Sequence, residues 1–397
     1  MASPLILVAN PGSASRKYGV FQNGSERASV HVEHDGHGLV GHIIVRGKKE
    51  DFTPTSNQLE DVSGELLNTL KSHHVLDADE KIDAIGLRLV APSSFFLGDY
   101  VIDEAILKRV QELEHVAPLH IKATLGEYEH LSGDFDQTPI VLVSDSAFHK
   151  TKPDYAWNYG IKLDDADKYD VKRFGYHGLS VEACVRSLSK LGKLTPRMVV
   201  CHLGSGSSVT AVFNGKSIDT SMGYSPLEGL VMSTRSGTID YEAVLALKRS
   251  LKLNDDEMEE YLYTKSGLLG LGKSDDIRTL IENEANGDHQ ANLALATFAH
   301  TIRKQIGGMI TAMNGIDALI FTGTVGERSS TLRKRIVSHL QYVDIHLDGD
   351  VNEMTLQPDT ITNIAQIPQS KPILVVPTNE AQEIAEHVSA VLNRSEN

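Results

Sequence analysis

The sequence predicts an α/β protein of two like domains that share a duplicated core and face a common site. Three features of the chain point there. At 397 residues it exceeds what one ordinary hydrophobic core organises. Short apolar runs alternate with segments of helical periodicity along its length. One hairpin pattern occurs twice. It reads Leu7-Val8-Ala9-Asn10-Pro11-Gly12-Ser13-Ala14-Ser15, then Tyr18-Gly19-Val20-Phe21 and Asn23-Gly24. It returns as Val200-Cys201-His202-Leu203-Gly204-Ser205-Gly206-Ser207-Ser208, then Ala211-Val212-Phe213 and Asn214-Gly215. Gly12, Ser13, Ser15, Val20 and Phe21 match Gly204, Ser205, Ser207, Val212 and Phe213 at one constant offset. Each copy is an apolar strand, a turn of small hydroxyl residues, a second strand and an Asn-Gly turn. Such turns offer backbone N–H groups and hydroxyls to phosphate, because no bulky side chain keeps the anion away.

The elements follow in order. After the first hairpin, residues 31–51 are polar, rich in His and Gly, and read as a strand pair with exposed turns. Residues 58–74 have helical periodicity, with Leu59, Val62, Leu66, Leu67 and Leu70 on one side. Ile82-Asp83-Ala84-Ile85-Gly86 is a short buried strand that delivers Arg88 to its C-terminal end. Residues 101–113 read as a helix, and Ala117-Pro118-Leu119-His120 as a loop. Pro139-Ile140-Val141-Leu142-Val143 is another buried strand, ending at Ser144-Asp145-Ser146. Open α/β sheets place ligands at the C-terminal ends of their strands, which marks Asp145. The second domain begins near here. Its hairpin follows Pro196, and helices are expected over 240–249, 255–263 and, long and amphipathic, 292–314. Ala318-Leu319-Ile320-Phe321 opens into the turn Thr322-Gly323-Thr324-Val325-Gly326-Glu327. Pro372-Ile373-Leu374-Val375-Val376-Pro377 is the last strand, and 379–392 a closing helix.

Composition narrows the partners. An apolar fraction of 41% and a charged fraction of 23% are those of a globular protein. A formal net charge of −15 disfavours nucleic acid and anionic membrane surfaces as partners. An anionic substrate then requires local cations and a metal to overcome the global field. Cys184 falls on a predicted helix and Cys201 on a predicted strand, the usage of a reducing compartment rather than of a disulfide framework. No apolar run approaches membrane-spanning length, and no basic segment precedes the first strand, so neither a membrane span nor a cleaved signal is expected. A cytoplasmic location is the expectation.

Three small-residue turns after apolar strands are candidates for phosphate or nucleotide contact: 10–15, 204–208 and 323–326. None is a P-loop, since no Gly-Lys-Ser/Thr closes any of them. Arg88 and Arg235 are the cations suited to a reacting phosphoryl group. Arg235 lies in Met232-Ser233-Thr234-Arg235-Ser236-Gly237, among small residues that leave its planar fork of donors uncovered. For either, the structural alternative is a surface or salt-bridge residue. Arg173-Phe174-Gly175-Tyr176-His177-Gly178 places a His where it can donate to a phosphoryl oxygen, or else sit satisfied between domains. Phosphoryl transfer is catalysed mostly by positioning and charge stabilisation, which such a group can serve. Asp145 and Glu380 are carboxylates suited to hold a hydrated Mg²⁺. Glu380 equally reads as a first-turn acid of the closing helix, favoured there by the dipole.

Further segments complete a series: Asp219-Thr220-Ser221-Met222-Gly223-Tyr224-Ser225-Pro226-Leu227-Glu228-Gly229, Lys265-Ser266-Gly267-Leu268-Leu269-Gly270, and Pro377-Thr378-Asn379-Glu380. In this order and nearly end to end, the series resembles the acetate and propionate kinase family of the actin/hexokinase-like superfamily. The resemblance implies two actin/hexokinase-like (ribonuclease H-like) domains with a duplicated core around an interdomain cleft. With it go an N-terminal lobe of 1–147 plus 381–397, carrying the carboxylate site, and a C-terminal lobe of 148–380, carrying nucleotide binding and dimerisation. The implied activity is reversible transfer of the terminal phosphoryl of ATP to acetate or a similar short-chain carboxylate, giving ADP and an acyl phosphate by direct in-line transfer. It implies Mg²⁺ (or Mn²⁺) and a homodimer.

The resemblance also assigns residues. Arg88 and Arg235 fall to the carboxylate and phosphoryl group, His177 to the transferring phosphoryl, and His120 to a supporting position. Asn10, Asp145 and Glu380 lie around the metal and catalytic centre. Lys17, His202, Gly204, Ser205 and Gly206 fall to the nucleotide phosphates. Asp276, Ile277 and Arg278, with Thr324, Gly326 and Arg328, fall where the family holds adenosine. Val90, Leu119, Tyr176 and Pro226 line up with its acyl pocket. The chain departs from the family pattern in places. Leu89-Val90-Ala91-Pro92-Ser93 stands where Val-Val-His-Gly-Gly is typical, Leu179 and Val181 replace Thr and His, and Ser205 replaces Asn. Ser233, Thr238, Thr324 and Arg328 are further replacements, and Tyr176 adds a hydroxyl to the acyl pocket. These leave two alternatives beside acetate: another short-chain acyl kinase such as a propionate kinase, and a catalytically impaired nucleotide-binding regulatory protein.

Overall fold

The computed structural model describes residues 3–12, 15–34, 38–77 and 79–395. The chain forms two compact units, Met1–Ala147 with Asn379–Asn397, and Phe148–Thr378. The first unit thus recovers the chain two residues before the expected 381. Asn379 and Glu380 already hydrogen-bond to Glu26 and Asn10 of that unit.

The first unit is built on one eight-stranded sheet. Its strands are β1 (Ile6–Pro11), β2 (Ser15–Gln22), β3 (Ser25–His34), β4 (Leu39–Val45), β5 (Lys48–Phe52), β6 (Ala84–Leu89), β7 (Tyr100–Val101) and β8 (Ile140–Ser144). They lie in the order β5-β4-β3-β2-β1-β6-β8-β7. The first five form an antiparallel meander; β1, β6 and β8 run parallel, and β7 returns antiparallel. Continuous apolar runs such as Ile6-Leu7-Val8-Ala9 suit parallel strands covered on both faces, and these four residues are all buried. The opposite edge, Lys48-Lys49-Glu50-Asp51, is exposed and charged, which blocks further strand pairing there. One face packs on a 3₁₀ turn and helix spanning Leu59–Glu65 and Leu66–Ser72 and on the helix Pro118–Asp134. The other carries the C-terminal helix, Glu380–Ser395. That helix rests directly on β6: a Cβ on Gly86 would lie 2.6 Å from Ile384 Cγ2 and 2.7 Å from Val388 Cγ2.

The second unit has six strands, β9 (Arg197–Leu203), β10 (Ser207–Phe213), β11 (Lys216–Thr220), β12 (Ala318–Thr322), β13 (Thr362–Asn363) and β14 (Ile373–Val375). Their order, β11-β10-β9-β12-β14-β13, is that of the first sheet without β4 and β5. The directions also repeat, antiparallel through β9, parallel through β14 and antiparallel at β13. The long helix His289–Ala312 covers one face and the helix Gly178–Lys190 the other. Cys184 and Cys201 are buried, on this helix and on β9. The predicted α/β class and duplicated core are therefore present.

Four expectations need correction. The constant offset between the hairpins breaks at the turn: Leu7 pairs with Val20, but Val199 pairs with Ala211, so Val20 corresponds to Ala211 and not to Val212. The second turn is one residue tighter, closing Gly204 N on Gly206 O where the first closes Gly12 N on Ser15 O. A one-residue slip exchanges sheet faces, and Val212 does face the side opposite Ala211. Ser13 and Ala14 of the first turn lie outside the described residues. Second, 117–120 is not a loop, because Pro118 opens the 17-residue helix Pro118–Asp134 at a position where proline's missing N–H costs nothing. Third, residues 101–113 begin as strand, and the helix is Glu104–Glu112, capped by Asp103. Fourth, the turn after β12 is a helix, Gly323–Arg328.

Candidate active site

In the first unit, β1, β6 and β8 are parallel neighbours, so their C-terminal ends share one edge. Asn10 on β1, Arg88 on β6 and Asp145 just past β8 come together there. Arg88 Nη2 donates to Asp145 Oδ2 at 2.7 Å and Nη1 to Asn10 Oδ1 at 3.2 Å. Asn10 Nδ2 donates to Glu380 Oε2 at 3.0 Å. The expected salt-bridge alternative for Arg88 is thus literally present, yet its partners are the other candidate residues. Burial opposes charge on Arg88, but the Asp145 and Glu380 carboxylates outweigh it and raise the guanidinium's pKa. Arg88 Nε is buried and has no hydrogen-bond partner among the described residues, an N–H suited to a ligand oxygen. Val90 is half-buried directly after β6. His120 lies in the first turn of its helix, and the Leu119 side chain lies outside the described residues. Lys17 is exposed on β2, opposite Asn10 in the ladder.

Two residues that the sequence did not reveal brace this edge. Asp99 Oδ1 accepts from the Ser144 N–H at 3.0 Å, one residue before Asp145. Its Oδ2 meets His387 Nδ1 of the C-terminal helix at 2.7 Å. Nothing local marks either residue; their pairing spans most of the chain. The oxygen set of Asn10, Asp145 and Glu380 is hard and anionic, which fits Mg²⁺ better than a soft metal. One oxygen of each is already engaged, those of Asn10 and Asp145 by Arg88 and that of Glu380 by Asn10 Nδ2.

In the second unit, His177 opens the helix Gly178–Lys190 with φ 60°, a left-handed conformation uncommon outside glycine. Its Nδ1 meets Ser208 Oγ at 3.0 Å, which turns Nε2 toward Gly206 of the candidate phosphate turn. A Cβ on Gly206 would lie 3.1 Å from His177 Nε2 and 3.4 Å from Arg235 Nη1. Glycine there lets the turn approach both groups, so the two candidates meet at it. His202 lies beside them, its ring centroid 4.2 Å from that of His177 and its Nδ1 2.7 Å from Ser180 Oγ. Ser180 and Ser208 therefore orient two imidazoles, a role invisible before folding. Arg235 is half-buried and donates to the Pro226 carbonyl at 3.3 Å. Its loop is tied to the phosphate turn by Ser233 N donating to the exposed Ser205's carbonyl at 3.2 Å.

The candidate acyl-pocket residues of this unit, Tyr176 and Pro226, are fixed by a second polar set. Tyr176 is buried, and its hydroxyl donates to the Tyr224 carbonyl at 2.6 Å. Glu228 binds both Arg173 and the Tyr159 hydroxyl, and Tyr159 Oη in turn accepts from Tyr224 N at 2.8 Å. Pro226 is buried within the same loop. Lys152 donates to the Arg173 and Phe174 carbonyls, and burial pushes its pKa down to about 8.

The adenosine candidates are more dispersed. Asp276 caps the helix Ile277–Ala285 and pairs with the exposed Arg278 at 2.6 Å. The Ile277 side chain is buried in the core, which leaves only its backbone for a ligand. Thr324 and Arg328 are exposed on the helix Gly323–Arg328, and Gly326 is buried. Arg333, fully buried, fixes this helix from behind. Its Nη1 donates to the Gly326 and Glu327 carbonyls at 2.8 and 2.9 Å, and Nε to Asn352 Oδ1 at 2.8 Å. No signal short of the fold singles out Arg333.

The sequence model of the Acetokinase family matches residues 5–386. The acetate kinase of Lachnoclostridium phytofermentans is 36% identical over 395 residues, covering 96% of this chain and 98% of that one. The acetate kinase of Carboxydothermus hydrogenoformans is 37% identical over 400 residues, covering 98% and 100%. Among solved structures, Porphyromonas gingivalis acetate kinase superposes with a TM-score of 0.85 at 32% identity, covering 98% of this chain and 100% of that one. A propionate kinase from Francisella tularensis gives 0.87 at 32% identity, covering 97% and 98%.

Proposed function

Because this chain belongs to the Acetokinase family, we propose that it catalyses reversible transfer of the terminal phosphoryl of ATP to acetate, forming acetyl phosphate and ADP. The observation that carries the reading is the retention of each charged candidate in a pre-organised setting: Arg88 beside Asn10 and Asp145, and Arg235 with His177 around Gly206.

A carboxylate oxygen is already a nucleophile, so no general base is required. It attacks the γ-phosphorus, the new P–O bond forms, and the bond to the β-phosphate oxygen breaks with its electrons leaving on ADP. Arg88, its Nη atoms held by Asp145 and Asn10, meets the incoming carboxylate through its Nε–H. His177 and Arg235 donate to the equatorial oxygens of the transferring group, where negative charge accumulates. The turn about Gly204 and Gly206, with His202, takes the nucleotide phosphates, and the segments about Asp276 and Gly326 take adenosine. Mg²⁺, when bound, neutralises phosphate charge, and Glu380 with Asn10 and Asp145 are the residues that would hold it. Direct transfer needs no covalent relay through the protein.

Propionate is a second acceptor to weigh, since a propionate kinase is among the structural relatives. One methylene changes discrimination by only about 1–3 kcal/mol, so the Tyr176 and Pro226 wall does not decide the matter by inspection. The test is purified protein with Mg-ATP and formate, acetate, propionate or butyrate, trapping the acyl phosphate with hydroxylamine. Acetyl hydroxamate formed fastest supports the reading. ATP binding with no hydroxamate from any carboxylate overturns it in favour of a regulatory protein. We also propose a homodimer formed through the second unit, which exposes Tyr155, Leu163, Tyr169 and Tyr241. Light scattering at the mass of a single chain would refute that.

A further inference from the structure

Arg16 and Glu127 form a buried ion pair in the first unit that belongs to none of the assignments above. Arg16 Nε lies 3.5 Å from Glu127 Oε2, and the side chains are only 3% and 1% exposed. Arg16 sits on β2, one side of the phosphate-type turn, and its Nη1 donates to the carbonyl of Gly12 across that turn. Glu127 sits on the helix Pro118–Asp134, two turns after His120. Residues seven apart share a helix face, about 10 Å along its axis. The guanidinium therefore joins the turn after Asn10 to the helix that carries His120 in its first turn.

We propose that the Arg16–Glu127 pair is a positioning device that holds the Asn10-side turn in register with the helix bearing His120, and so sets the carboxylate-side geometry. The proposal rests on the function given above. Buried pairs are seldom retained for stability, because desolvation offsets their attraction. Here burial pushes Glu127 up to about 7, against the pull of the Tyr18 hydroxyl, Arg16 and the Ser63 hydroxyl. Ionised Glu127 is thus a net cost to the fold, and what the pair contributes is a fixed distance between two elements.

The test is the double variant Arg16→Met with Glu127→Leu, which removes both charges and fills the same space with apolar atoms. The expected result is wild-type or higher thermal stability, a 5- to 20-fold rise in KM for the carboxylate, and an unchanged Kd for ATP. Amide exchange at Gly12, whose N–H is bonded to the Ser15 carbonyl, should quicken in parallel. Wild-type KM and wild-type exchange in a stable double variant overturn the proposal. Should that variant fail to fold, Arg16→Gln with Glu127→Gln, a neutral pair of similar size, takes its place. There too, unchanged KM and exchange against wild type overturn it. If the wild-type protein forms no acyl phosphate at all, the functional reading fails on its own, and Gly12 exchange still decides the pair.

Discussion

Arg235 and His177 both approach one glycine, Gly206, and their energetic roles differ from those of core residues. Arg235 is half-buried and donates to the neutral Pro226 carbonyl at 3.3 Å. Arg235→Ala is expected to keep its fold, seen as an unchanged circular dichroism spectrum, while kcat falls by about 10²–10³, the range for removing one donor to developing charge. Unchanged turnover would remove Arg235 from the reaction. Glu127 makes the contrasting residue-scale prediction. Its carboxyl pKa is raised by burial to about 7, so the native state holds its proton more tightly than the unfolded chain. Stability should then fall as pH rises from about 5 through 7, by roughly 3 kcal/mol for a shift of this size. Glu127→Gln abolishes that slope. Urea unfolding at pH 5 and pH 8 measures it, and parallel behaviour of variant and wild type would show that Glu127 does not titrate there.

Elements carry the site through close approaches that small residues permit. Gly86 lies under Ile384 and Val388, so the C-terminal helix seats on β6 with no intervening side chain. That contact fixes where Glu380, the first residue of the helix, meets Asn10. Gly86→Val should cost about 1–3 kcal/mol through overpacking and raise the apparent Mg²⁺ requirement, because the helix must lift from the sheet. A variant with wild-type melting temperature and wild-type Mg²⁺ dependence would show that the helix is not seated by this glycine. The helix Gly323–Arg328 is held in another way, by the buried Arg333 reaching the Gly326 and Glu327 carbonyls. Burial without a carboxylate partner lowers the Arg333 pKa to about 10, still charged at neutral pH. Its donors are satisfied by carbonyl and amide oxygens, and the Gln357 N–H joins it on the Glu327 carbonyl at 3.1 Å.

At the scale of the molecule, a net charge of −15 coexists with a chemistry that gathers anions. The contradiction is resolved locally: Arg88 among the oxygens of the first sheet edge, and His177 with Arg235 at the second hairpin turn. The repeated sheet order explains how one chain acquires two such places, since equivalent strand ends recur in each unit. An added β4-β5 pair distinguishes the first unit and ends it in a charged edge.

By itself the sequence determined the strand positions, the twice-used hairpin and the charged candidates, because apolar runs, small-residue turns and signature segments are local signals. It misjudged 117–120, where a proline that opens a helix looks like one that breaks it, and it missed the one-residue difference between the turns, since identical letters conceal register. Only the tertiary structure decided that Arg88 is spent on Asn10 and Asp145, that the Tyr176 hydroxyl is bound to a carbonyl, and that Ile277 is core. Asp99, Ser180, Ser208, His387, Arg16 with Glu127, and Arg333 also came from folding alone. Each acts through a partner distant along the chain, and hydrogen bonding and burial at such separations leave no periodicity to read.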